Sequence, residues 1–318
     1  MTKKTLLLHV GTHKTATTTL QALMAQNRAG LAAKGFCYPA TDRPPHPEHP
    51  KHNSLFAALL KGGDAFTAER DLLLREFDRS GCDTLVLSGE GLSSPAVRRS
   101  GLLAQMTAFQ PDFDIRVICV LRRQDSFIES LWNQYAKSAN TTKHITDFIT
   151  EPKIIRHMTY MDTLDAWAEV ASVTALGFEA SLGAGIVESF AAATGIPLRP
   201  DPKSRNVSPS MTCAAIMAAM NRLDIRHDWR RIEKALGPDT RRHALGSRLR
   251  GELLARFADH NARLRQTYGV VFPDTMPDEP AEPIAEPGRK EILRIAEQMA
   301  ATPAGVAGKL VSLLTRPK

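Results

Sequence analysis

At 318 residues, 43% hydrophobic and 24% charged, the chain can bury the core of one large domain, or of a domain with an appended lobe, and its composition excludes a wholly disordered polymer. The formal charge of +7 favours an anionic or nucleotide ligand. Basic pairs are scattered (Arg122-Arg123, Arg230-Arg231, Arg241-Arg242) and aromatics are only 6%, so no nucleic-acid partner is expected.

Thr5 to Val10 is a short apolar run ending at Gly11, and Leu20, Leu23, Met24 and Leu31 follow with helical spacing, so the chain opens as strand, loop, helix. The opening run is too short for a signal peptide and no later one reaches membrane-spanning length, which predicts a cytoplasmic protein without an integral membrane segment. Residues 40 to 52, rich in proline and histidine and without periodicity, read as an irregular excursion before a helical pattern through Leu55, Leu59 and Leu60. Cys82 to Leu87 is a second compact apolar run, stopping at Ser88-Gly89-Glu90-Gly91. Ile115 to Leu121 is a third, rich in β-branched residues, followed by Arg122-Arg123 and a helical pattern through Phe127, Leu131 and Tyr135.

Val170 to Leu176 predicts a fourth strand and Gly183 to Ala193 a helix after it. Short buried strands alternating with helices predict an α/β fold, a three-layer sandwich around a central parallel sheet. Beyond Pro197 the strand signal fades. Residues 198 to 210 read as a proline-rich loop crossing toward the site, and Met211 to Leu223 and Leu245 to Tyr268 as helices. Pro273 to Pro287 reads as a Pro/acidic linker before an amphipathic helix near Lys290 to Leu314. The expected division is an α/β domain over 1–272 and a linker with a C-terminal helix over 273–318. Cys37, Cys82, Cys119 and Cys213 stand far apart with no CxxC pair, so they are expected to be reduced, partly buried thiols rather than zinc ligands or disulfides.

The strongest chemical signal is Gly11-Thr12-His13-Lys14-Thr15-Ala16-Thr17-Thr18-Thr19, between the first strand and the first helix. It gathers backbone N–H groups, a cation and hydroxyls at a helix N-terminus, the combination that binds phosphate. The nucleotide-kinase pattern GxxxxGK[ST] is absent, since Lys14 comes three residues after Gly11 and no Gly-Lys pair opens the helix. The run HVGTHKTATTTLQ resembles instead the 5′-phosphosulfate loop of PAPS-dependent sulfotransferases, especially bacterial members with a GTHKTGTT-like loop. The resemblance implies 3′-phosphoadenosine 5′-phosphosulfate (PAPS) as donor and the 3′,5′-bisphosphate PAP as product. It places Lys14 at the oxygen bridging sulfuryl and phosphate. It makes His13, Lys14, Thr15, Ala16, Thr17, Thr18 and Thr19 the binding loop, with the threonine hydroxyls and amides around the 5′-phosphate. Ala16 stands where the family usually has Gly, so a left-handed backbone there would cost about 1 kcal/mol or more.

The sequence Leu121 to Ser130 (LRRQDSFIES) resembles the 3′-phosphate motif of the same family, an Arg at a strand end and a Ser some two helical turns later. Transferred by position, Arg122 and Ser130 bind the 3′-phosphate, for which the guanidinium fork is well shaped. Asn206-Val207-Ser208, after Lys203 and Arg205, resembles the later family loop that closes over the donor, which adds Lys203, Arg205 and Ser208 as contacts. In an open α/β sheet ligands sit at the carboxyl ends of strands, so Glu90 is placed to face the same crevice as Lys14 and is a candidate base. His13 and His52 are the competing proton acceptors, and His52 and Asn53 candidate substrate contacts. The prolines around His46, His49 and His52 prevent a regular helical face, so no metal is expected.

The activity so implied is sulfuryl transfer to a hydroxyl or amine acceptor, a small molecule or glycan with carbohydrate favoured by analogy, through in-line displacement. Two alternatives stand beside it: a nucleotide-dependent phosphotransferase, whose Walker-type Lys is missing, and a non-catalytic nucleotide-binding member of the same fold.

Overall fold

The computed structural model describes residues 3–12, 14–40, 52–181, 185–200, 208–238 and 240–300. Five strands form one parallel sheet: β1 (Lys4–Gly11), β2 (Phe36–Cys37), β3 (Thr84–Gly89), β4 (Phe113–Leu121) and β5 (Ser172–Gly177), in the order β2-β3-β1-β4-β5. Helices flank the sheet, as the alternation of short apolar runs with helical patterns predicts. Along β1, Leu6, Leu8 and Val10 join one core with Leu55, Phe77, Leu87, Val117 and Trp167. Leu7 joins the other with Leu20, Met24, Val86, Ile118 and Phe190. Successive side chains of a strand point to opposite faces, and along β1 and β3 both faces are covered, which is why these two strands read as unbroken apolar runs.

The chain divides into two compact units. The first comprises Met1–Arg123, Arg156–Arg205 and Phe257–Asp274 and holds the whole sheet. The second comprises Gln124–Ile155, Asn206–Arg256 and Thr275–Lys318, and among its described residues it is helical, with long segments Gln124–Lys137, Met211–Arg222, Gly246–Arg256 and Arg289–Ala300. Inside it the Arg250 guanidinium, 1% exposed, donates to Asp125 at 2.5 Å, to Glu129 at 2.8 Å and to Glu279. Glu279 belongs to the Pro/acidic stretch that reads as a linker by composition. There that stretch lies along the backbone before and into the Gly246 helix: Ile284 N–H donates to Ala244 O at 2.7 Å and Ser247 N–H to Pro280 O at 3.0 Å.

Element boundaries depart from expectation where a single residue leaves helical geometry. The predicted helix from Leu245 to Tyr268 is two, Gly246–Arg256 and Ala258–Tyr268, broken at Phe257 with φ −103° and ψ 9°. The pattern from Leu20 to Leu31 likewise breaks at Asn27, φ −109° and ψ 23°. Strand β2, two residues long, is too short to show any periodicity. The helix Gly63–Ser80, which buries Phe66, Leu73 and Phe77, is a further element that the sequence reading leaves out. The last helix is described as Arg289–Ala300, the residues beyond it lying outside the described set. All four cysteines are free and buried, and burial pushes the Cys119 thiol up to about 12 and Cys37 to about 11.

Candidate functional site

Strands β1, β3 and β4 end level with one another, Val10 pairing with Gly89 and Gly11 with Val120. The chain leaves β3 on one side of β1 and returns as β4 on the other. Their carboxyl ends therefore meet where the strand order reverses, the position at which open α/β sheets take ligands.

The loop after β1 is braced from within. Thr12 Oγ1 donates to Val120 O at 2.5 Å, stitching the loop to β4, and the hydroxyls of Thr15 and Thr17 donate to Thr12 O at 2.8 and 3.2 Å. Thr15 and Thr17 are buried, whereas Thr18 is exposed and Thr19 half-buried on the first turn of the Thr17–Gln26 helix. Amides of a helix's first turn have no intrahelical acceptor, so this turn carries donors and the positive end of the dipole at the crevice. Lys14 and Ala16 both take left-handed backbone, φ 66° and 60°, and Ala16 is the N-cap. A Cβ on Gly11 would come within 2.6 Å of Thr17 Oγ1 and Cγ2, so this Gly is required by close approach. His13 lies outside the described residues, as do Lys203 and Arg205.

Arg122 leaves β4 toward this loop. Its Nη1 donates to Lys14 O at 3.2 Å, its Nε lies 3.6 Å from Glu179 Oε1, and its guanidinium stands over the Phe178 ring at 5.2 Å. Its carbonyl accepts from the Tyr160 hydroxyl at 2.7 Å, which fixes the backbone from which the side chain projects. Arg123 is buried; its N–H donates to both Glu179 oxygens, at 3.3 and 3.1 Å, and its side chain to the Pro273 carbonyl. Of the two arginines it is Arg122 that the structure brings to the Lys14 loop. Ser130, on the Gln124–Lys137 helix, and Ser208 belong to the second unit. In that unit Trp132 and Asn133 pack, Trp132 Nε1 donating to Lys143 O at 3.0 Å and Asn133 Nδ2 to Pro209 O at 2.7 Å.

Glu90 follows Gly89 directly and opens the short turn Glu90–Ser93. Ser93 Oγ lies 3.0 Å from Gly11 O and 2.9 Å from Glu90 O, so one hydroxyl ties the Glu90 turn to the start of the Lys14 loop. A Cβ on Gly91 would meet the Phe56 ring at 2.4 Å, so the glycine after Glu90 answers to packing. Trp167 Nε1 donates to Leu92 O at 3.0 Å and fixes the far end of the turn.

His52 has both ring nitrogens on backbone: Nδ1 accepts from Ser88 N–H at 3.1 Å, which puts the proton on Nε2, 3.2 Å from Pro39 O. Burial lowers it to about 4, so it is a neutral brace of β3, with no lone pair left for an acceptor's proton. Asn53 Oδ1 accepts from Gly91 N–H at 3.4 Å. Beneath the loop, His9 Nδ1 and Gln21 Nε2 both reach Ser88 Oγ, at 2.9 and 3.0 Å, and burial lowers His9 to about 4 as well. Among the described residues one set of possible metal ligands, Glu129, His243 and Glu279, brings its ligand atoms within 4.8 Å, and Arg250 donates to both carboxylates of that set.

Glu179, Tyr160 and Ser93 join the site without any sequence signal: none lies in a motif, and each is brought in by a different element of the sheet's surroundings. No family model matches the chain, and no curated protein matches it. The chain is similar to the solved structure of a sulfotransferase from Alicyclobacillus acidocaldarius, with a TM-score of 0.47 and 17% identity over 86% of this chain and 98% of that one. It is also similar to a structure of the PezAT chromosomal toxin-antitoxin system of Streptococcus pneumoniae, with a TM-score of 0.30 and 11% identity over 84% and 89% of the two chains.

Proposed function

We propose that the chain is a sulfotransferase that moves the sulfuryl group of PAPS to a hydroxyl or amine acceptor and releases PAP. The observation that carries this reading is the meeting of two anion-binding motifs that are far apart in sequence: Arg122 Nη1 reaches the Lys14 carbonyl at 3.2 Å. A single bisphosphorylated nucleotide needs cations for both of its charged ends within one crevice, and these two meet where β1 and β4 end. Lys14 and the first turn of the Thr17–Gln26 helix meet the phosphosulfate, and Arg122 takes the 3′-phosphate through charge-assisted hydrogen bonds.

In the displacement a bond forms from the acceptor oxygen or nitrogen to sulfur while the bond from sulfur to the phosphate oxygen breaks in line with it. The leaving electron pair stays on that oxygen, where Lys14 and the helix terminus stabilise the growing charge. The acceptor proton passes to the Glu90 carboxylate, on the turn that the Ser93 hydroxyl ties to the loop through the Glu90 and Gly11 backbone carbonyls; such a base contributes typically about 10²–10⁴-fold. The acceptor is a small molecule or glycan, carbohydrate by analogy with the family the motifs resemble, and the work is done in the cytoplasm.

Radiolabelled sulfuryl transfer from PAPS to a panel of sugars and amines tests the reading. Wild-type protein transfers label, and Glu90→Gln lowers turnover by about 10²–10⁴-fold while PAP affinity stays within about twofold. A wild type that neither transfers label nor binds PAP would remove the reading. Binding without transfer to any acceptor would leave the non-catalytic nucleotide binder.

A further inference from the structure

Resting on the reading of Arg122 as the 3′-phosphate residue, we propose that Glu179 is a counter-charge built into that subsite, which holds down its affinity for the bisphosphate and so favours product release. Glu179 stands two residues past Gly177, the last residue of β5, which pairs with Leu121 at the end of β4. Its carboxylate is only 15% exposed, and both of its oxygens accept from Arg123 N–H, at 3.3 and 3.1 Å, so it is anchored beside Arg122 rather than swinging in solvent. One oxygen lies 3.6 Å from Arg122 Nε. An anion arriving at Arg122 therefore meets a cation that already has a fixed partner.

Two effects of that carboxylate oppose each other. By holding Nε it helps to orient the guanidinium, which favours a phosphate; by its charge it repels one. Orientation has other sources here: the Lys14 carbonyl on Nη1, and the Phe178 ring at 5.2 Å. Neither of those two groups carries a formal negative charge, and at a part-buried site the carboxylate is poorly screened. Repulsion therefore outweighs orientation, and neutralising Glu179 tightens binding at this end of the nucleotide. Release of product limits turnover in many enzymes, which gives such a restraint a use.

Calorimetric titration with PAP and with adenosine 5′-monophosphate, which lacks the 3′-phosphate, tests this on wild type, Glu179→Gln and Glu179→Ala, each checked for an intact melt. Both substitutions are expected to tighten PAP by about tenfold and to change the monophosphate by less than about twofold, with Glu179→Asp returning to the wild-type ratio. PAP affinity that is unchanged or weaker, or equal tightening of both nucleotides, overturns the proposal even where only one of the two substitutions yields folded protein. A wild type that binds PAP no better than the monophosphate instead overturns the reading of Arg122, and the role of Glu179 falls with it.

Discussion

Left-handed backbone at two alternate positions, Lys14 and Ala16, shapes the loop after β1, and neither residue is Gly. A Cβ in that region costs roughly 1–2 kcal/mol, while Gly costs something of its own in the freedom it has when unfolded. Ala16→Gly is therefore expected to raise stability by about 0.5–1 kcal/mol, read as an upward shift in denaturant midpoint at constant slope; a drop would mean that the strain is not there. Gly11 is the opposite case, because Gly11→Ala drives a methyl against Thr17 and should cost about 1–3 kcal/mol and disturb the first helical turn. At this scale the sequence is partly legible. The strained position at Ala16 follows from setting Ala where a related loop has Gly, whereas Lys14 gives no hint of its conformation. Thr15 and Thr17 look like ligand-facing hydroxyls in the sequence and turn out to bond Thr12 O, because a tight loop must satisfy its own carbonyls first.

Strands buried on both faces announce themselves, and so β1, β3 and β4 are readable from apolar runs; β5, at the sheet's edge with Ser172 and Thr174 exposed, is read from the run Val170 to Leu176, while two-residue β2 has no period to read. The braces between elements are not readable. His9 and His52 tie β1 and β3 to their neighbours and are held neutral, each lowered by burial from 6.5 to about 4. The unfolded chain takes up these protons near 6.5 and the folded chain only near 4, so stability is complete above pH 6.5 and falls between pH 6.5 and 4, by on the order of 3 kcal/mol per histidine. Denaturation at steps from pH 7 to 4 should show that decline, and His52→Gln should flatten it; an equal slope in the variant would contradict the assignment. In the second unit, burial pushes the Glu129 carboxyl up, but the His243 hydrogen bond, the Arg250 charge and the Leu245 and Ala244 amides together hold it below the usual range. Its stabilising effect is present above that range and disappears as the pH falls through its lowered value. Arg250→Met strands three buried carboxylates and is expected to cost about 3–5 kcal/mol at pH 7, read as a lower denaturant midpoint.

Over the whole molecule, parallel connectivity does what neither motif does alone. Because β3 and β4 lie on either side of β1, three strand tips from separate stretches of sequence converge, and Lys14, Glu90 and Arg122 converge with them. That convergence was inferable from strand-loop-helix order, since residues at carboxyl ends of adjacent parallel strands share an edge. Glu179 was not inferable, because the turn after β5 carries no motif and only the pairing of β5 with β4 brings it to Arg122. Among the described residues no helix is long and apolar enough to cross a membrane. The measurement that bears most directly on the two-ended nucleotide site is calorimetric titration of PAP and adenosine 5′-monophosphate into wild type, Lys14→Ala and Arg122→Ala. Loss of Lys14 should weaken both nucleotides, and loss of Arg122 should weaken PAP by about 10–100-fold while leaving the monophosphate unchanged. If Arg122→Ala affects the two nucleotides alike, or neither, the two motifs do not hold opposite ends of one ligand.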